Sequence, residues 1–363
     1  MNNSFLKTAL YDRHNKLEAK LVPFAGYLMP ISYKTGIKNE YNALRKNVGM
    51  FDVSHMGQIY VKGKEADTFL NYLSTNNVKN MLDGSAQYNM FCNDQGGVID
   101  DVIIYRKSKN NYLIIVNASN IQKNYDWLSK NNRYNLKINN VSEKFSILAI
   151  QGPKSRKVLY EHFNINLEKL KFYTFTYKKI FEEEILISRT GYTGELGYEI
   201  IANHQIIQKI WDVLLVKDVI PCGLAVRDVL RIEMKYCLYG NDLLDTINPI
   251  QAGLKWVVDL SKKNFVGREI IQEEINNPTK RLICFKMIDK GIARKNYRVF
   301  ISDKSVGYVS SGTFSISLNC GIGLAFINKK YLNENSIFIE IRNRLFEAKT
   351  VKPPFINNFS LHS

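Results

Sequence analysis

The chain has 363 residues, of which 45% are apolar and 23% charged, and it carries a formal net charge of +16. At about 150 residues per domain this gives room for two or three packed units, and the composition excludes a disordered tail, a collagen-like fibre and a small disulfide scaffold. No run approaches the roughly 18 uncharged apolar residues of a membrane span.

The opening MNNSFLKTALYDRHNKLEAK has neither an apolar signal core nor an Arg- and Ser-rich presequence, so a cytoplasmic protein with no membrane partner is expected. The basic excess favours anionic partners, and a drift toward Lys and Asn explains it equally well. The lysines are scattered, and no stacking motif of the RNA-binding kind accompanies them; nucleic acid is not expected. Cys92, Cys222, Cys237, Cys284 and Cys320 are widely spaced and form no CxxC, which reads as reduced thiols. The histidines form no HExxH and no ligand-spaced pair with cysteine, so no metal is expected. A Walker loop and a GxGxxG are both missing.

Along the chain, DDVIIYR reads as a strand, followed by YLIIVNASNIQKNYDWL (Tyr112 to Leu128). This second run is a β-branched strand, a short polar turn and an amphipathic helix. The same pattern returns as EILISR and then YEIIANHQIIQKIWDVL (Tyr198 to Leu214). The two long runs share nine residues of seventeen, so the chain contains an internal repeat. Two related α+β lobes follow, packed side by side with a cleft between them as a natural ligand site. Glu199 stands where the first copy has Leu113. A carboxylate in an otherwise apolar strand marks a candidate site, or else a strand end turned to water.

GLAVRDVLRIEMKY then predicts a helix with Ala225, Val229 and Ile232 on one face and Arg227, Arg231 and Met234 on another. NNPTK marks a boundary. Beyond it, RLICFKMID, YRVFIS, SVGYVSSGTF, GIGLAFI and SIFIEIRNRLFEAKTVK are short β-prone runs at the spacing of a small barrel.

Six ordered stretches go further: VPFAGYLMPISY, GMFDVSHMGQIYVKG, CNDQGGVIDDVIIY, RTGYTGELGYEI, CGLAVRDVLRIEMKYCLYGND and VSSGTFS. Together the chain closely resembles the aminomethyltransferases of the glycine cleavage system, the T-protein family, from about Leu10 to Lys352. The resemblance implies an α+β, three-lobed folate-binding fold, with two related α+β lobes and a C-terminal β-barrel. The implied division is 1–50 with 141–278 as the first lobe, 51–140 as the second, and 279–363 as the barrel.

The implied reaction moves the methylene carbon from the S-aminomethyldihydrolipoyl arm of a lipoylated H-protein to tetrahydrofolate, the co-substrate. A fixed carboxylate suits the cationic aminomethylene carbon formed as the carbon–sulfur bond breaks. Asp101 matches the family's catalytic aspartate. Its neighbour Asp100 would face the opposite way along a strand, and Gly96 and Gly97 are expected to let the turn approach a ligand. Glu199 matches the carboxylate that accepts the pterin N–H donors, and Arg227 the folate-binding arginine, which otherwise reads as a salt-bridge partner of Asp228 or Glu233. Tyr192, Tyr236, Tyr88 and Met56 match pocket positions, and Arg294 a basic position at the cavity mouth.

Some members place a ligand-contacting Tyr near their end; here Phe355 or Phe359 stands nearest, and Cys237 has no assigned role. The alternative function is a non-enzymatic folate-binding relative acting in iron–sulfur cluster assembly. Those relatives carry a KGCYxGQ-type motif, whereas this chain has KKNFVGREII and no cysteine there.

Overall fold

A computed structural model describes residues 5–363. It opens with α1 (Tyr11–Lys16), the hairpin β1 (Lys20–Phe24) and β2 (Tyr27–Ser32), α2 (Ile37–Lys46) and β3 (Gly49–Asp52). Two copies of one element order follow. The first is β4 (Gly57–Lys62), α3 (Ala66–Leu73), β5 (Ser85–Cys92), β6 (Val98–Ser108), β7 (Asn111–Val116), α4 (Ile121–Lys130) and β8 (Lys137–Asn140). The second is β9 (Ser146–Gln151), α5 (Ser155–Phe163), β10 (Phe175–Ile180), β11 (Glu183–Ser188), β12 (Gly197–Ala202), α6 (His204–Val216) and β13 (Ile220–Pro221). The repeat therefore extends well beyond the run that is visible by identity.

The sheets keep the correspondence. One has the order β5-β6-β7-β4-β8 and the other β10-β11-β12-β9-β3-β13, with β3 inserted between β9 and β13. Strand alternation assigns the two faces of each sheet. Tyr112, Ile114 and Val116 pack on Phe69, Leu70 and Leu128 of the copy's own helices, as Tyr198, Ile200 and Ala202 pack with Leu159, Ile207 and Trp211 of theirs. The residues between them, Leu113 and Ile115 in one copy and Ile201 in the other, share a third core in which the sheets meet. Tyr105 pairs with Leu113 as Ser188 pairs with Glu199, and the Tyr105 hydroxyl lies 3.1 Å from Ser188 Oγ. Equivalent residues touching each other is what a local two-fold relation produces. The junction is thus lined with apolar side chains from both sheets.

α7 (Leu224–Glu233) buries Val226, Val229, Leu230 and Ile232, while Ala225, on the same face as Val229 and Ile232, is only half-buried. The expected arginine face also divides. Arg231 is buried and donates to Asp242 (2.6 Å), Asp228 (2.8 Å) and Ser311 Oγ (2.8 Å), tying the helix to the barrel. Glu233 does the same from the helix end, accepting from Arg45 Nη2 and Ser315 Oγ, each at 2.6 Å. Buried charges persist only with their partners in place, so these two networks hold α7 rigidly.

α8 (Arg268–Asn276) precedes β14 (Lys280–Met287), β15 (Arg298–Ile301), β16 (Lys304–Ser315), β17 (Cys320–Asn328), β18 (Ser336–Ile341) and β19 (Arg344–Val351). The six strands close into a barrel around Phe285, Val299, Val309, Ala325, Ile337 and Ile339. Among the described residues no helix is long and apolar enough to cross a membrane, and no group of His, Cys, Asp and Glu is arranged to hold a metal ion.

Candidate active site

Asp100 and Asp101 sit side by side on β6 with different surroundings. Asp100 is buried and accepts from Asn117 N (3.1 Å), Asn117 Nδ2 (2.8 Å), Asn120 Nδ2 (2.7 Å) and Asn124 Nδ2 (2.6 Å), so its oxygens are fully used. Asp101 is half-buried and accepts from Tyr88 Oη at 2.9 Å and Asn117 Nδ2 at 2.8 Å. Burial pushes both carboxyls upward. The Asp101 charge adds to the rise at Asp100, and the Tyr88 and Asn117 hydrogen bonds offset part of it at Asp101. Tyr88 is pushed the same way, by burial and then by Asp101, and stays a neutral donor.

The glycines before this pair serve the chain itself. A Cβ on Gly97 would lie 1.7 Å from the Asp245 carbonyl oxygen, and Gly96 has a φ of 74°. The close approach expected toward a ligand is therefore made to backbone.

Glu199, on β12, faces the junction between the sheets. Thr190 Oγ1 donates a short hydrogen bond to its Oε2, and Oε1 has no donor among the described residues. Burial raises this carboxyl, while Thr190 and the charge of Arg227 lower it. The Arg227 guanidinium lies 4.6 Å over the Tyr192 ring and makes no hydrogen bond or ion pair among the described residues. The partners it would have as a surface arginine are engaged elsewhere: Asp228 with Arg231, and Glu233 with Arg45. Tyr192 stacks on Tyr236 at 5.7 Å between ring centroids and donates to the Cys237 carbonyl. That carbonyl gives Cys237 a structural task. Its thiol is pushed up to about 12, mainly by burial, and is unreactive.

A cavity of about 550 Å³ lies between the β1–β2 hairpin, α7 and the barrel, with Phe24, Tyr192, Arg227, Leu238, Arg294 and Phe314 in its wall. Asp101, Glu199, Tyr88, Tyr236 and Met56 are not in that wall. Tyr236 joins it through the Tyr192 stack and Glu199 through the field of Arg227. Met56 is half-buried against the core between the sheets. Arg294 is exposed, its Nη1 donating to the Gly312 carbonyl at 3.2 Å.

Several residues here escaped the sequence reading. The Tyr173 hydroxyl, raised chiefly by burial, feels Tyr236, Tyr105, Glu199 and Asp101, and its backbone has a φ of 57°, rare for an aromatic residue. Asn117 holds both aspartates; its signal was its place opposite Asn203 in the repeat. Thr190 holds Glu199 and lies within the RTGYTGE run, between Arg189 and Gly191. Exposed Trp256 stacks on Tyr88 at 5.7 Å. At the other end of the chain, Phe355 packs into the core that includes Cys237 and borders Tyr88, whereas Phe359 does not.

Residues 10–262 match the family model of the GCVT N-terminal domain, and residues 280–357 that of the glycine cleavage T-protein C-terminal barrel domain. An aminomethyltransferase of Thermosipho melanesiensis is 47% identical over 351 residues, covering 96% of each chain. One from Bdellovibrio bacteriovorus is 42% identical over 358 residues, covering 96% of this chain and 99% of the relative. The crystal structure of glycine cleavage system aminomethyltransferase T from Bartonella henselae superimposes with a TM-score of 0.93 at 28% identity, over 98% of this chain and 99% of that one. With both family models covering it almost from end to end, the chain belongs to the glycine cleavage T-protein family of aminomethyltransferases.

Proposed function

We propose that the protein transfers the methylene carbon of an aminomethyl group from the dihydrolipoyl arm of an H-protein to tetrahydrofolate. The products are 5,10-methylenetetrahydrofolate, ammonia and the dihydrolipoyl arm. In the reaction the carbon–sulfur bond breaks with its electron pair left on sulfur, one folate nitrogen bonds to the cationic aminomethylene carbon, and the second folate nitrogen then displaces the amino group as ammonia, the two folate N–H protons passing to the sulfur and the leaving amine. The observation that carries this reading is the asymmetric aspartate pair. Asp100 is saturated with hydrogen bonds, while Asp101 is clamped by two donors and keeps part of its surface open. A carboxylate fixed in this way stabilises a developing cation without reorganising during the reaction.

Glu199 and Arg227 complete the reading as the groups that hold the pterin. The free Oε1 of Glu199 accepts a pterin N–H, and Arg227 adds charge and a planar surface over Tyr192. A cavity of about 550 Å³ with mainly aliphatic and aromatic walls fits a flat heterocycle with a short tail. The +16 charge supports steering of an acidic carrier, which docks transiently and departs after each turnover. The reaction is placed in the cytoplasm.

The test is tetrahydrofolate-dependent release of ammonia from aminomethylated H-protein, with folate binding measured on the same preparation. Turnover is expected. Folate binding without turnover would instead support a non-enzymatic relative.

A further inference from the structure

A second cavity, of about 510 Å³, opens beside α3 and shares no residue with the first. Its wall holds three cations, Lys79, Lys262 and Lys263, and no Asp, Glu or Arg. Lys262 is the unusual one. It is 6% exposed, its ammonium donates to the backbone carbonyls of Ser74 and Asn76, and it makes no ion pair among the described residues. A lysine is almost never buried without an acid beside it. The acid whose charge it feels, Asp259, is already occupied by Asn77 Nδ2 (2.8 Å) and by Ser261 N (2.9 Å) and Oγ (2.6 Å). Burial pushes the Lys262 ammonium down to about 7, with Asp259 and then Cys92 offsetting only part of the fall. Lys79 and Lys263 are exposed, and their ammonium groups have no partner among the described residues.

The rest of the wall is aromatic and amide. Tyr72 and Tyr134 are 39% and 44% exposed, so both rings leave much of their surface to be covered. They stand on a firm support. The buried Phe69 ring meets Tyr134 edge-on at 6.4 Å, and the Tyr72 carbonyl accepts from Val266 N at 3.2 Å, which ties the segment after Lys262 to α3. Arg268 donates to the Lys262 carbonyl at 3.2 Å and holds that segment from its other end. Asn80 and Asn264 are exposed, and their side-chain amides make no hydrogen bond among the described residues. Each offers a donor and an acceptor to the edge of a heterocycle.

We propose that this cavity binds a free nucleotide, with its phosphate among the three lysines and its base against the tyrosine rings. Lysines gathered around a concave surface concentrate anions, and a bound anion supplies the counter-charge that Lys262 lacks. Lysine acts as a point charge, which suits the nearly double charge spread over the oxygens of a phosphate monoester. A carboxylate ligand would call for the planar fork of arginine, and no arginine lines the wall. The tyrosines and the free amides ask for a flat ring with polar edges, which inorganic phosphate does not have.

The experiment is calorimetry on the full chain at low salt, comparing AMP, adenosine and inorganic phosphate. AMP should bind about 10-fold tighter than either part alone, because a stacked ring and a set of exposed charge pairs each contribute on that scale. Lys79→Ala/Lys263→Ala should weaken AMP about 10-fold and leave adenosine unchanged. Tyr134→Ala should weaken AMP about 10-fold and leave phosphate unchanged, while Tyr134→Phe should bind as the unaltered protein does. At mildly alkaline pH, where the phosphate is fully ionised, AMP binding should take up a fraction of a proton, because the anion raises the Lys262 ammonium. Titrations in buffers of different ionisation enthalpy read this uptake. No AMP binding, equal affinity for AMP and inorganic phosphate, or AMP affinity intact in both alanine variants overturns the proposal. Binding without proton uptake also overturns it, since the anion would then lie away from Lys262. So does an affinity for oligoadenylate that climbs with length beyond that for AMP, which would make this face a nucleic-acid surface.

Discussion

β7 and β12 hold the same place in their sheets, each the last strand of a meander and the neighbour of the strand that opens its copy. On the helix side they are interchangeable, with Tyr112 and Tyr198 both buried. On the side where the sheets meet they differ. The first copy presents Tyr105 and Leu113, the second Ser188 and Glu199, and the Tyr105 hydroxyl reaches across to Ser188 and Thr190. One copy keeps an apolar pair that fills the junction, and the other carries a polar pair on the same backbone. A second contrast lies just beyond the strands. Asn203 Oδ1 accepts from Ile206 N and caps α6, whereas its equivalent Asn117 turns its amide to Asp100 and Asp101. Duplication supplies a scaffold, and exchanging a few side chains on the shared face of one copy makes a site.

The contrast breaks most severely if the polar exchange is made in the filled copy. Leu113→Glu would place a carboxylate in the junction with no donor waiting, at a cost of about 3 kcal/mol or more. Denaturant unfolding should show it, and an unchanged midpoint would mean that the two faces are not distinguished by packing.

Asp101→Asn should lower turnover about 100-fold, the scale for losing one preorganised electrostatic partner, with folate affinity held within a few-fold. Asp100→Asn should mainly destabilise the fold, because its new amide would face the Asn120 and Asn124 donors. If the two variants exchange these effects, the catalytic assignment moves by one residue. Because burial raises the Asp101 carboxyl, turnover should fall on acidification at a higher pH than for an ordinary carboxylate. Asp101→Asn should remove that acid limb.

Glu199→Gln should weaken tetrahydrofolate binding by about 1.5–3 kcal/mol, the worth of a hydrogen bond to a charged group, as read by calorimetry. Glu199→Leu makes the strands alike, and here the fold should gain. A carboxyl whose pKa is raised by folding costs stability above the folded pKa and costs nothing below the unfolded value. The gain should therefore appear at neutral pH and vanish in acid. A destabilised leucine variant at neutral pH would show that Glu199 is structural.

The smallest effect concerns the asparagines. Asn203→Ala should cost about 1 kcal/mol of stability, the usual value of a helix cap, and leave turnover alone. Asn117→Ala should instead lower turnover and move its acid limb to higher pH, since Asp101 loses a donor that favours its charged form. Similar behaviour of the two variants would remove the functional contrast.

Period-2 and helical spacing of apolar residues depends only on neighbours along the chain, which is why the hairpin and helix of each copy and the strands of the barrel were legible. The sequence also singled out Glu199, since a carboxylate breaks an apolar strand pattern wherever that strand is placed. The family motifs carried the remaining candidate residues.

Tertiary structure alone decided which candidates meet and in what state. Asp100 and Asp101 are indistinguishable as letters, and their environments are set by Asn120 and Asn124 on one side and Tyr88 on the other. Arg227 and Arg231, one helical turn apart, look alike in sequence. Only the packing of α7 on the barrel gives Arg231 the partners Asp242 and Ser311 and leaves Arg227 over Tyr192 without an ion pair among the described residues. Tyr173 gave no sequence signal, because its importance lies in a positive φ and in nearby charges supplied by other strands. Where the two sheets meet was decided in the same way: burying their free faces against each other removes more apolar surface from water than leaving them apart.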